Sequence, residues 1–198
     1  VNFLAHLHLS DPGAESWIGS LIPDFGDKSD PESYPNVIYQ AILLHRRIDI
    51  YTDNHPVFMQ SRSRIDERYR LLKGILVDMF YDHFLAKNWN AYSGQSLEIF
   101  SDNVYEALRE HRKIMPFRLQ RASDYMIAEN WLVSYRELDG IDLVLKRMER
   151  RLSRPTVLGE GIQALVENYT EIENDFKIFY PDLQKFVKRE KQVVGSRQ

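Results

Sequence analysis

Residues 36–52 read NVIYQAILLHRRIDIYT. Their apolar positions, Val37, Ile38, Ala41, Ile42, Leu44 and Ile48, recur at three- and four-residue spacing. That period predicts one long amphipathic helix. Pro35 suits its first turn, and "TDNHP" at 52–56 ends it, with Pro56 placed to open the next helix. A chain whose strongest signal is a long helix of this kind should bury that face against other helices.

The same period recurs on both sides. Trp17, Ile18, Leu21, Ile22 and Phe25 mark a short helix that Pro23 should strain or end. Residues 68–89 form a long helix with Leu72, Ile75, Leu76, Met79, Phe80, Phe84 and Leu85 on its core face. Leu97, Phe100, Val104 and Leu108 mark a fourth helix, closed by Pro116. Residues 121–138 read as a fifth, 142–152 as a sixth and 162–179 as a seventh, with a short helical tail after Pro181. "GDKSDPESYP" is a loop by composition, and only "NFLAHLHL" alternates enough to suggest a strand. No repeat or long linker divides the chain. The reading is all-α: a single-domain helical bundle of about seven helices over 1–198, with 190–198 a frayed tail.

Composition narrows the function classes. At 198 residues with 43% hydrophobic side chains, the chain can build one sizeable core. Its 26 Lys and Arg against 29 Asp and Glu give a net charge of −3, which argues against a nucleic-acid partner. The absence of cysteine excludes disulfides, thiolate metal sites and a cysteine nucleophile, and fits the cytoplasm. No apolar run approaches the roughly 20 residues that cross a bilayer, so no membrane is expected. The opening residues lack the basic stretch of a signal peptide.

One stretch resists a purely structural reading. "DMFYDH", 78–83, sets Asp78, Asp82 and His83 in the most apolar neighbourhood of the chain. An unpaired buried charge costs several kcal/mol, so a compensating group is expected. On the 36–52 helix, His45, Asp49 and Asp53 follow one another at one-turn spacing. His6 and His8 sit together near the start, and Asp24 stands alone in "LIPDF". Each has an ordinary alternative. His45 and Asp49 can be a simple helical pair, His6 and His8 structural residues, and Asp53 a turn or cap. His55 suits a surface loop and His111 a solvated basic face. Together, imidazole and carboxylate donors without thiolates suit a divalent ion such as Mn, Fe or Zn in a bundle core. Such an ion makes a nucleophile from bound water. Arg46 and Arg47 beside His45 are candidate phosphate clamps.

Four stretches carry a family resemblance: "NFLAHLHLS", "LHRRIDIYTDNHP", "LVDMFYDHFLAKNW" and "NWLVSYRELDG". In this order they resemble the acyl carrier protein phosphodiesterase family, also called holo-acyl-carrier-protein hydrolases. The resemblance covers about the first three quarters of the chain, and the two central motifs are the most specific. It implies a manganese-dependent enzyme that cleaves 4′-phosphopantetheine from holo-acyl carrier protein. It also implies a non-standard relative of the HD phosphohydrolases, and so an HD-phosphohydrolase-like bundle. The usual His-Asp doublet is missing here, and the adjacent pair Asp82-His83 has the reverse order.

The resemblance then implies Asp24, His45, Asp82 and His83 as metal ligands; from the chemistry of such a site, Asp78 or Asp49 would orient or deprotonate the water. Arg46 and Arg47 would bind the phosphate, and His6 or His8 would assist the leaving serine. Tyr81 or Trp131 would line a channel for the pantetheine arm. An acidic carrier protein would dock on Arg46, Arg47, Arg62, Arg64, Arg68, Arg70 and Lys73. The competing readings are an HD-type nucleotide phosphohydrolase and a non-catalytic helical binding module.

Overall fold

The computed structural model describes residues 1–25, 30–150 and 156–195. It is a single helical domain with no strand among these residues. Among the described residues there are eleven α-helices instead of seven: α1 (Phe3–Leu9), α2 (Ala14–Leu21), α3 (Asn36–Asn54), α4 (Pro56–Arg64), α5 (Lys73–Lys87), α6 (Leu97–Glu110), α7 (Phe117–Ala128), α8 (Trp131–Ser134), α9 (Leu138–Arg150), α10 (Ile162–Glu167) and α11 (Tyr169–Gly195).

The extra helices have local causes. The segment that alternates like a strand is α1, with Phe3, Leu4, Ala5, His6, Leu7 and Leu9 all buried. A helix enclosed on every side needs no polar face, so its periodicity is silent. The expected fifth helix breaks at Asn130, which adopts a left-handed φ of 49°, a conformation asparagine tolerates better than most residues. The expected seventh is interrupted at Asn168. It then continues as α11 straight through Pro181, where a separate tail was expected. Helix persists to Gly195 where fraying was expected from 190; residues 196–198 lie outside the described residues, as do 151 and 152 of the expected sixth helix.

Two prolines act as the sequence predicts. Pro23 stops α2 at Leu21 and leaves a tight turn over Ile22–Phe25 that carries Asp24. Pro56 opens α4, and His55 is its cap rather than a loop residue, accepting from the Val57 amide at 3.3 Å. The helix expected from residue 68 begins only at Lys73. The preceding turn, Glu67–Leu72, folds Tyr69 inward and leaves Leu71 exposed.

Helix α5 is the hub. Leu76, Val77 and every residue from Met79 to Ala86 are buried. Helix α1 lies against it, α2 packs on α1 and α3, and α11 runs along α3, α4 and α5. The approach of α2 to α3 depends on Gly19. A Cβ there would lie 2.6 Å from the Ile38 carbonyl oxygen and 2.7 Å from Ala41 Cβ. This contact places the carbonyl of Ser20 over α3.

Candidate active site

His45 and Asp49 lie one turn apart on α3, with the His45 ring buried. His45 Nδ1 donates to the Ser20 carbonyl at 2.7 Å. That bond fixes the ring and turns Nε2 toward two carboxylates, 3.0 Å from Asp49 Oδ2 and 3.6 Å from Asp24 Oδ1. Orientation of a ligating imidazole through its other nitrogen is the usual support in metal sites.

The third member comes from α1. His6 stacks on His45 with ring centroids 3.7 Å apart, and its Nε2 lies 3.1 Å from Asp49 Oδ1. The ring is buried; Nε2 faces only the Asp49 carboxylate, and Nδ1 has no hydrogen-bond partner within the protein. A buried polar group without a partner is costly. Donor atoms of His6, His45 and Asp49 all fall within 4.8 Å of one another. Two ligands at right angles around an ion about 2.1 Å away are separated by roughly 3 Å. The observed spacings of 3.0 and 3.1 Å match that figure. The unpaired His6 Nδ1, the convergence of the His6 and His45 Nε2 atoms on Asp49 and the nearby Asp24 carboxylate therefore fit a divalent cation.

The electrostatics agree. Burial, reinforced by the adjacent His45, pushes His6 down to about 3, so its ring is neutral and free to donate a lone pair. Desolvation opposes charge on His45, but the bonds and charges of Asp49 and Asp24 outweigh it and raise its pKa. Desolvation also works against Asp49, and the two imidazoles overcome it and hold the carboxyl low. Asp24 is pushed up to about 6, mainly by desolvation.

The two carboxylates of this cluster, Asp24 and Asp49, open onto a cleft of about 290 Å³. Asp24, Asp49, Asp53 and Asp78 line it together with Ile75, Met79 and Met148. Asp78 pairs with the amino group of Val1, and desolvation raises it to about 6. Four carboxylates on one small cleft leave a negative field that a bound cation would neutralise.

The structure thus brings together Asp24, His45, Asp49 and His6, with Asp78 on the same cleft. Asp82 and His83 stand outside that cluster. Asp82 is fully buried and accepts from the amides of Asn2 at 3.3 Å, Leu4 at 2.7 Å and Ala5 at 3.1 Å. It caps α1, so its carboxylate compensates a helix terminus. His83 donates from Nδ1 to the Tyr135 carbonyl at 2.9 Å and accepts the Tyr169 hydroxyl at Nε2, 2.8 Å away.

The remaining candidates are also engaged elsewhere. His8 holds Tyr180 and the Tyr92 carbonyl. Arg47 pairs with Glu190 at 2.9 Å, and Arg46 is exposed on α3; neither lines the cleft. Tyr81 is bonded to Ser61 in the core, and Trp131 donates to Glu129. Of the expected docking cations, Arg64 is bound to the buried Asp175, Lys73 pairs with Glu67, and Arg68 donates to Tyr69 and Gln163. Arg70 is exposed.

Sequence reasoning placed His6 near the substrate rather than in the cluster, and it did not single out Ile75 or Met148 as cleft residues. The signal for His6 was present, since a histidine among the apolar residues of FLAHLHL needs a partner. The strand-like alternation of α1 hid which face it occupies.

Comparison with known proteins agrees with the family resemblance. The model of the family described as acyl carrier protein phosphodiesterase matches residues 1–183. A relative from Photorhabdus laumondii named acyl carrier protein phosphodiesterase is 34% identical over 182 residues, covering 91% of this chain and 92% of that protein. One from Yersinia pestis with the same name is 33% identical over 186 residues, covering 93% and 96%. One from Escherichia coli O6:H1, again so named, is 34% identical over 190 residues, covering 96% and 98%. No solved structure matches.

Proposed function

This chain belongs to the acyl carrier protein phosphodiesterase family, and from that premise we propose that it hydrolyses holo-acyl carrier protein to the apo form and 4′-phosphopantetheine. The observation that carries the reading is the pair of stacked imidazoles, His6 and His45, converging on Asp49 at the floor of an acidic cleft. Asp24, His45, Asp49 and His6 are the proposed holders of a divalent cation, with manganese the proposed ion. When bound, such an ion polarises a phosphoryl oxygen and lowers the pKa of a coordinated water.

The chain's own groups supply the rest. Asp78, with its carboxyl raised to about 6, suits the acceptance of a proton from the attacking water near neutral pH. The water oxygen bonds to phosphorus, the bond from phosphorus to the serine oxygen breaks, and the proton that Asp78 took from the water returns through solvent to that oxygen, which leaves as the serine hydroxyl. His45 keeps its ring oriented through the Ser20 carbonyl while charge builds at the phosphate. The cytoplasm is the proposed compartment, in keeping with the cysteine-free composition. No helix among the described residues is long and apolar enough to cross a membrane.

The direct test incubates purified protein with manganese and holo-acyl carrier protein and weighs the carrier by mass spectrometry. Loss of one 4′-phosphopantetheine group is the expected result. A carrier protein of unchanged mass, from enzyme verified to hold manganese, would overturn the reading.

A further inference from the structure

The cleft is lined by two chemically different sets of side chains. One is the carboxylate floor of Asp24, Asp49, Asp53 and Asp78. The other is apolar: Ile75 and Met79 on α5, and Met148 in the last turn of α9. Ile75 and Met148 pack partly into the core, yet each keeps a partly exposed surface at the cleft. Ile75 and Met79 are four residues apart on the helix that carries Asp78, so the apolar surface begins directly beside the carboxylates. An ion and a water molecule need no such wall.

We propose that this wall is the subsite for the pantetheine arm, and that Ile75 and Met148 set specificity for it. The inference rests on the carrier-protein reading and deepens it by assigning the part of the cleft that recognises the arm. In 4′-phosphopantetheine the ester oxygen is joined through one methylene to a quaternary carbon with two methyl groups. That branched carbon lies three single bonds from phosphorus, at most about 4 Å away. A phosphate held over the floor must therefore place two methyl groups within reach of the nearest cleft wall. The partly exposed apolar side chains there are Ile75 and Met148. Met148 is unbranched and adjusts readily to an irregular apolar surface. Tyr81 and Trp131 are held in other contacts away from the cleft.

The test compares two phosphate monoesters as inhibitors of the manganese-loaded enzyme: 4′-phosphopantetheine and methyl phosphate. They share the charged group, and only the first carries the arm. In wild-type protein the arm should give 4′-phosphopantetheine the lower inhibition constant. Burial of two methyl groups corresponds to roughly a tenfold gain in binding. Replacing both Ile75 and Met148 by alanine should reduce the ratio of the two constants about tenfold. Met148→Gln, close in shape and partly solvated, should reduce it severalfold without depending on the packing of the double variant. Met148→Leu should keep it near wild type. A ratio unchanged in Met148→Gln and Ile75→Ala overturns the wall as the arm subsite. Wild-type protein that leaves holo carrier protein intact overturns the carrier-protein reading and this inference together. Wild-type protein that releases the arm, with the ratio unmoved in the variants, overturns the inference alone.

Discussion

Asp82 Oδ2, on α5, accepts the Leu4 amide at 2.7 Å in the first turn of α1, the helix that carries His6. With the Asn2 and Ala5 amides on Oδ1, it meets three of the donors that α1 leaves unpaired at its start. The carboxylate of Asp82 thus acts on the site through the placement of α1.

Asp82→Ala should lower stability by roughly 2–4 kcal/mol, because buried amides lose their acceptor. Burial raises the Asp82 pKa to about 7, against the pull of the amides, so a neutral acceptor is a close substitute. Asp82→Asn should cost only about 1 kcal/mol. Urea denaturation measures both. An alanine variant as stable as wild type but unable to bind manganese would reassign Asp82 to the metal.

Manganese should stabilise the folded protein directly. At a hundredfold excess over its dissociation constant, a ligand adds about 2.7 kcal/mol, which for a chain of this length raises Tm by about 5–10 °C. The shift should vanish in Asp49→Ala, since Asp49 is the carboxylate shared by both imidazoles. Differential scanning calorimetry with and without manganese reads the effect without any substrate. An equal shift in the variant would remove Asp49 from the ligand set.

Gly19→Ala should weaken metal binding as well as packing. The added Cβ meets the Ile38 carbonyl oxygen at 2.6 Å and Ala41 Cβ at 2.7 Å, both on α3. Helix α2 must move, and the Ser20 carbonyl that orients His45 moves with it. The expected cost is about 1–3 kcal/mol in stability and about tenfold or more in manganese affinity. Titration followed by electron paramagnetic resonance reports the affinity. Weakened stability with unaltered affinity would show that the carbonyl does not position His45.

His8 gives stability a defined dependence on acid. Burial pushes its pKa down to about 4, although the Tyr92 carbonyl pulls it up. The unfolded chain titrates near 6.5, so the fold favours the neutral ring. The contribution of His8 is complete above pH 6.5 and is lost as pH falls toward 4, an effect on the order of 3 kcal/mol. Asp24 and Asp78, raised to about 6, act with the opposite sign. The informative quantity is therefore the difference between wild type and His8→Gln. The advantage of wild type over the variant should shrink between pH 6.5 and 4. A constant difference across that range would mean His8 keeps an ordinary pKa in the fold.

The helical class, the long α3, the stop at Pro23 and the start at Pro56 were all decided by local chemistry that the sequence carries. The apolar period of residues 36–52 and the geometry of proline act within a few residues. The pairing of His45 with Asp49 was legible for the same reason, since one turn of helix brings them together. Tertiary structure alone decided which other polar residues join them. Asp82 and His83 are neighbours in sequence but leave α5 in directions about 100° apart, one toward the start of α1 and the other toward Tyr135 and Tyr169. His6 reached the cluster because α1 is a buried helix, whose all-apolar surroundings erase the periodic signal that would have oriented it. Side-chain direction around a buried helix is set by the partners packed against it, and those partners, from Leu4 to Tyr169, lie far away along the chain.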